Sequence, residues 1–135
     1  GGELLLETLP AYLKGEIKPK AQDEAQSTYC KMLKKEDGAL DFTNSSTSLV
    51  HKVRAFQPWP GAFTTWQGQM LKIKHSRAVP SDLLDHMVAP GEHVIYRGLP
   101  AIGTGDGLLV LDELQPAGKK VMSGKAFLQG ARNWA

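Results

Sequence analysis

Between Arg54 and Phe63 the chain reads Arg-Ala-Phe-Gln-Pro-Trp-Pro-Gly-Ala-Phe, and no other stretch restricts its backbone so strongly. Pro58 and Pro60 each fix φ at about −65° and push the residue before them out of the helical region. Gly61 follows at once and opens backbone angles closed to other residues. A helix that enters this segment must stop at Pro58, and the chain that leaves it must be extended.

Both flanks agree. Ser45 to Phe56 places Leu49, Val53 and Phe56 at helical spacing, joined by Val50, with Asn44, Ser45 and Ser46 as N-cap candidates. After the run, Ala62 to Trp66 is rich in strand formers, and Gln67-Gly68-Gln69 is a turn. Met70 to Arg77 alternates, with Leu71 and Ile73 on one face and Lys72 and Lys74 on the other. Residues 80–91 read as a long loop, 92–96 as a third strand and 101–104 as a short fourth. Gly105-Asp106-Gly107 is a tight turn into a further strand, 108–114. Ser123 caps a last helix from Gly124 to Arg132. The pattern predicts a mainly β domain with flanking helices. A small five-stranded OB-like, Greek-key barrel fits it, although periodicity alone also allows a sandwich.

The region ahead of this domain is different. Within the terminal segment 1–15, residues 3–14 read as a helix whose Leu5, Leu9 and Leu13 share a face, with Leu6 and Tyr12 beside them, Pro10 inside it and Gly15 as a stop. That leucine face has no obvious partner in the chain. Residues 16–38 read as a basic linker carrying Lys18, Lys20, Lys31, Lys34 and Lys35, and residues 39–135 as the β domain. The start lacks a methionine and reads as a cut inside a longer protein.

Composition mostly excludes. A lone cysteine, Cys30, rules out an internal disulfide and points to a reducing, cytoplasmic setting. No stretch approaches the roughly 20 apolar residues of a membrane span, so no membrane role is expected. His51, His75, His86 and His93 lack metal-ligand spacing. Asp82, Asp85 and His86 are solvated loop charge. Gly103 to Gly107 lacks the Gly-Lys-Ser/Thr ending of a phosphate loop. What remains is cation placement, within a net charge of only +2. Lys72, Lys74 and Arg77 lie on a strand, Lys119 and Lys120 follow a Pro-Ala-Gly turn, Lys125 and Arg132 lie on the last helix, and Lys34 and Lys35 on the linker. Such cations either bind phosphates without reading sequence or keep a strand face from pairing. Residues alone favour neither. Arg54 either joins them or holds a carboxylate such as Asp41, and the structural role is preferred. Trp59, Trp66 and Trp134 are expected as packing anchors. Phe56, Trp59 and Phe63, set by Pro60 and Gly61, are expected to plug the barrel against the helix.

A second run, Gln115-Pro116-Ala117-Gly118-Lys119-Lys120-Val121-Met122-Ser123-Gly124, follows the first. In this order and separation the pair resembles the C-terminal domain of the methionyl-tRNA formyltransferase family, and the likeness extends from Leu4-Leu5-Leu6 to Trp134. The resemblance implies an OB-like barrel and a parent enzyme that formylates initiator Met-tRNA from 10-formyltetrahydrofolate. It also implies that the catalytic residues and folate pocket belong to a missing Rossmann-like N-terminal domain, whose last helix would be residues 1–15. No segment here matches those catalytic motifs, so the piece is expected to be catalytically silent and without a cofactor of its own. Its expected work is to grip the tRNA phosphate backbone through Lys34, Lys35, Lys72, Lys74, Arg77, Lys119, Lys120 and Lys125. Two alternatives stand beside this: a scaffold or subunit-contact barrel of a sugar-nucleotide formyltransferase or formyltetrahydrofolate dehydrogenase or hydrolase, and a protein-interaction barrel with no RNA role.

Overall fold

Ser45 accepts the Ser48 N–H at 3.2 Å and starts helix α2, Ser46–Ala55, as the cluster of small polar residues predicts. Leu49 and Val53 bury against the sheet from this helix. The helix ends at Phe56, and the Gly61 N–H donates to the Phe56 carbonyl at 2.9 Å, closing the Gln57–Pro60 loop. Gly61 takes φ +79°, and the first strand, β1 (Ala62–Trp66), begins at the next residue. The proline run thus converts a helix into a strand within six residues of chain, 56–61.

The computed structural model describes residues 1–135 and forms two units, Gly1–Met32 and Leu33–Ala135. The first holds helix α1, Gly2–Leu13, which contains Pro10. None of its residues is buried, and Leu4, Leu5, Leu6, Leu9, Tyr12 and Leu13 are all exposed. The second unit takes in residues 33–38, including the 3-10 turn Lys35–Gly38. No helix is long and apolar enough to cross a membrane.

The second unit is mainly β with flanking helices. Its strands are β1, Ala62–Trp66; β2, Gln69–Pro80; β3, His93–Tyr96; β4, Leu99–Thr104; β5, Gly107–Pro116; and β6, Met122–Ser123. All pairings are antiparallel, and the sheet follows the path β1-β2-β5-β4-β3, with β6 also on β5. That is one strand more than the sequence predicts, because two residues are too short to show a period. The path is also open, with β1 and β3 at its margins, rather than a closed ring. The last helix, α3, Gly124–Gly130, starts where expected: Ser123 accepts the Ala126 N–H at 3.2 Å.

The sheet has two unlike faces. On the inner face Ala62, Leu71, Ile73, Ile102, Leu109, Leu111 and Leu114 pack against Leu49 and Val53 of α2, Phe127 of α3, and Ala131 and Trp134 beyond it. Trp134 is the anchor: it is 2% exposed, stacks on His93 at 4.2 Å, meets Phe127 and Trp66 edge-on or tilted, and donates to the Val94 carbonyl at 2.9 Å. On the outer face, the segment 81–92 lays Val88 and Leu84 over Val79, Ala101, Leu108 and Val110. The β1–β2 side of that outer face stays open.

The expected plug is not formed. Trp59 is 59% exposed, because the Gln57–Pro60 loop closes on Phe56 and leaves its tip in solvent. Phe56 is half-buried at the helix end with the Lys52 Nζ 5.6 Å above its ring. Phe63 pairs with Lys72 and so faces outward, where its ring lies against Gly38. Pro60 and Gly61 keep the turn role predicted for them.

A candidate nucleic-acid interface on the outer face

The open part of the outer face is built in cross-strand rows. Lys72 pairs with Phe63 on β1 and Gln115 on β5, so the three side chains share one side of the sheet. Next along, His75 pairs with Glu113, and Arg77 with Val110. Simple alternation from Lys72 would turn Arg77 inward beside Leu71 and Ile73. Two irregularities prevent this. Lys74 is an extra residue in β2 between Ile73 and His75, and Asp112 is an extra residue in β5 between Leu111 and Glu113. Each is a bulge, a device that re-aims the side chains beyond it. His75 and Arg77 are consequently exposed, while Ser76 turns into the core.

The bulge on β2 is held from the proline run. The Gln57 amide donates to the carbonyls of Ile73 at 3.4 Å and Lys74 at 3.3 Å, beyond the point where β1 pairing stops at Ala62–Ile73. It stands in for the missing strand neighbour. The helix end and the re-aimed part of β2 are therefore tied together.

At the other end of the row, Pro116 to Lys119 forms a turn closed by the Lys119 N–H donating to the Pro116 carbonyl at 3.1 Å. Gly118 supplies the φ of +70° that the third position of a type II turn requires. The Gln115 side chain donates to the Lys119 carbonyl at 2.9 Å. Lys72, directly opposite Gln115, is thereby a neighbour of the Lys119–Lys120 turn. A shallow depression of about 130 Å³ between Met70, Lys72 and Gln115–Gly118 marks this junction. Lys72, Lys119 and Lys120 are all exposed.

Lys34 and Lys35 reach the margin of the same face. The Leu40 N–H donates to the Phe63 carbonyl at 2.9 Å and Ala39 bridges Phe63, so the Lys35–Gly38 turn runs along the β1 edge. Gly38 is required there: a Cβ would collide with the Gly61 carbonyl and press on the Phe63 ring. Lys34 anchors the turn by donating its N–H to the Asp37 carboxylate at 2.7 Å.

The other predicted cations are placed differently. Lys74 is half-buried in the bulge. Arg77 is on the face but paired, its Nε lying 2.9 and 3.0 Å from the two Asp112 oxygens. Lys125 is exposed on α3, whose Phe127 packs against the inner face. Arg54 is exposed on α2 and forms no ion pair, which corrects the expectation of an Arg54–Asp41 contact. Asp41 turns instead to Thr43, whose hydroxyl at 2.7 Å and N–H at 3.0 Å hold its carboxyl below the usual carboxylate range.

Sequence reasoning gave Asp112, Glu113, His75 and Gln115 no place on this face. The signal was present: Asp112-Glu113 interrupts the otherwise apolar run from Leu108 to Leu114. His75 Nδ1 lies 3.1 Å from Asp112, and Glu113 is directly across from His75, so the face carries anions as well as cations. No group of three or more His, Cys, Asp or Glu side chains lies close enough to hold a metal ion.

Comparison with known proteins follows the same boundaries. Residues 32–132 match the family described as "Formyl transferase, C-terminal domain". A protein named methionyl-tRNA formyltransferase from Roseiflexus castenholzii is 43% identical over 140 residues, covering 98% of this chain and 42% of that protein. One of the same name from Myxococcus xanthus is 45% identical over 132 residues, covering 96% of this chain and 40% of that protein. The chain thus spans about two-fifths of the length of the curated relatives it matches. Among solved structures, a variant of HypX from Aquifex aeolicus superposes with a TM-score of 0.59 at 20% identity, covering 98% of this chain and 24% of that one. HypX in complex with tetrahydrofolic acid gives 0.57 at 22% identity, covering 93% of this chain and 22% of that one. These structures share the fold. The family match covers most of the chain and coincides with its second unit, and the chain belongs to the formyl transferase C-terminal domain family.

Proposed function

We propose that this chain is the tRNA-holding C-terminal module of a methionyl-tRNA formyltransferase. Formyl transfer from 10-formyltetrahydrofolate to the methionine of initiator tRNA takes place on catalytic residues outside the segment. The shared name of the curated relatives supports the parent activity. The observation that carries the role of the module is the Lys72–Gln115–Lys119 junction, which gathers Lys72, Lys119 and Lys120 on one open face, with Lys34 and Lys35 at its margin. Exposed cations around a shallow surface suit a duplex backbone, where phosphate contacts supply affinity without reading bases. Phe63, the aromatic ring in the row, is half-buried against Gly38, which disfavours stacking of single-stranded bases on it. By fixing the tRNA body the module orients the acceptor end for chemistry elsewhere, which contributes by positioning. The place of action is the cytoplasm, which suits the free, exposed thiol of Cys30.

The test is titration of the chain with initiator tRNA over a range of salt. Lys72→Glu, Lys119→Glu and Lys120→Glu should each weaken binding and lower the log–log salt slope by about 0.9 for each phosphate no longer neutralised. An unchanged slope in all three removes the assignment of this face.

A further inference from the structure

Asp112 is a carboxylate on a face read as binding a polyanion, and simple field arguments make it a liability. Its geometry argues otherwise. Its side chain is 21% exposed and lies between His75 and Arg77, both of which are more than half exposed. Both carboxylate oxygens take the single Nε–H of Arg77, at 2.9 and 3.0 Å. Neither terminal amino group of that guanidinium has a protein partner. The guanidinium is planar, so with Nε–H engaged the two end-on N–H bonds, one from each terminal nitrogen, point away from the carboxylate. That is the planar fork that takes two oxygens of a phosphate at once. His75 Nδ1, at 3.1 Å from Asp112 Oδ2, gives the carboxylate a second partner. Asp112 itself occupies the extra position of a β5 bulge facing the β2 bulge, so both irregularities fall where this cluster is assembled.

We propose that Asp112 is a positioning residue, which pre-orients Arg77 as a two-pronged phosphate clamp on the tRNA backbone; the inference rests on the tRNA-binding reading of this face. An unrestrained arginine side chain loses rotamer freedom when a ligand fixes it, and Asp112 fixes it before the ligand arrives.

The experiment measures binding of end-labelled initiator tRNA to the full 135-residue chain at two salt concentrations. The variants are Asp112→Asn, Arg77→Ala, the double variant, Arg77→Lys and, as a control for the face, Lys72→Glu. Asp112→Asn should weaken binding about three- to tenfold, the net scale of one ordinary hydrogen bond, although it removes a negative charge. In the Arg77→Ala background the same change should no longer weaken binding. Arg77→Lys, which keeps the charge but not the fork, should behave as Arg77→Ala does. The Arg77 Nε–H resonance should be slow to exchange in the wild type and lost in Asp112→Asn, a readout independent of RNA. If Lys72→Glu weakens binding while Asp112→Asn leaves it unchanged or tightens it, Asp112 is only a repelling charge and the clamp is overturned. Equal weakening by Asp112→Asn with and without Arg77 also overturns it. If the wild type shows no saturable binding, or Lys72→Glu has no effect, the face itself is misassigned and the clamp falls with it.

Discussion

The backbone N–H of Ser46 donates to Asp106 Oδ1 at 2.6 Å, joining the first turn of α2 to the β4–β5 hairpin across sixty positions of sequence. Asp106 caps a helix from outside it and brings negative charge to the positive end of its dipole. The Gly105 N–H, donating to the Asn44 carbonyl at 3.0 Å, makes the same junction through the backbone. Asp106→Ala should cost about 1 kcal/mol, the usual worth of a helix cap, measured as a shift in the urea midpoint at unchanged slope.

The same bond sets an acid dependence. The Ser46 N–H holds the Asp106 carboxyl below its ordinary range. The folded state therefore binds this proton later than the unfolded chain, whose aspartates titrate at about 3.9. The contribution is present above that value and lost as pH falls through the lower, folded one. Urea midpoints from pH 6 down to pH 2.5 should show a shallower acid decline in Asp106→Asn than in the wild type.

His93 gives a second limb with a different window. Burial beside Trp134 pushes its pKa below 6.5, since the charged imidazolium is the poorly solvated form. The unfolded chain then takes up the proton first as pH drops. This contribution to stability is complete above about 6.5 and lost as pH falls toward the folded value. His93→Phe, which keeps a ring on Trp134, should remove that component, so its midpoint should change less than the wild type's between pH 7 and pH 5.

The tryptophans should separate cleanly. Trp134→Ala empties a fully buried site and should cost about 3–5 kcal/mol. Trp59→Ala removes a solvent-exposed ring and should stay within about 0.5 kcal/mol in thermal or chemical unfolding. The reverse order would mean that the Gln57–Pro60 loop packs differently from the arrangement described.

Gly103 is constrained by contact rather than by conformation. A Cβ there would overlap the Ala89 carbonyl oxygen and lie 2.8 Å from Val88 Cγ1. Neither side can retreat easily, because Gly103 also exchanges hydrogen bonds with Gly91 and Glu92 at 2.9 and 2.8 Å. Gly103→Ala should cost about 1–3 kcal/mol and speed amide exchange in the 81–92 segment before the rest of the sheet.

Local chemistry was legible in the sequence wherever a single residue type decides the outcome. Ser45 and Ser123 cap their helices, and the Pro58–Gly61 run stops α2 and launches β1. The apolar stripe of Leu49 and Val53 and the inner set of Leu71 and Ile73 follow from periodicity. What escaped depends on partners distant in sequence. Trp59 looked like an anchor because size is visible in a sequence and loop direction is not. Arg77 reaches the face of Lys72 only through an extra residue that strict alternation cannot show, and its carboxylate partner comes from another strand 35 positions away. The lysine pair after Gly118 was visible, but its closeness to Lys72 required the β2–β5 register.

Lys74 and Asp112 have one more consequence, for chain length. Each is spare in the ladder: Ile73 still meets Leu114, and Ser76 still meets Leu111, whether or not either is present. Removing one residue at either place would iron the ribbon flat without inverting the core. Natural insertions and deletions in the long strands of this fold should therefore collect at these two points, where evolution can trade the shape of the exposed surface while leaving the interior intact.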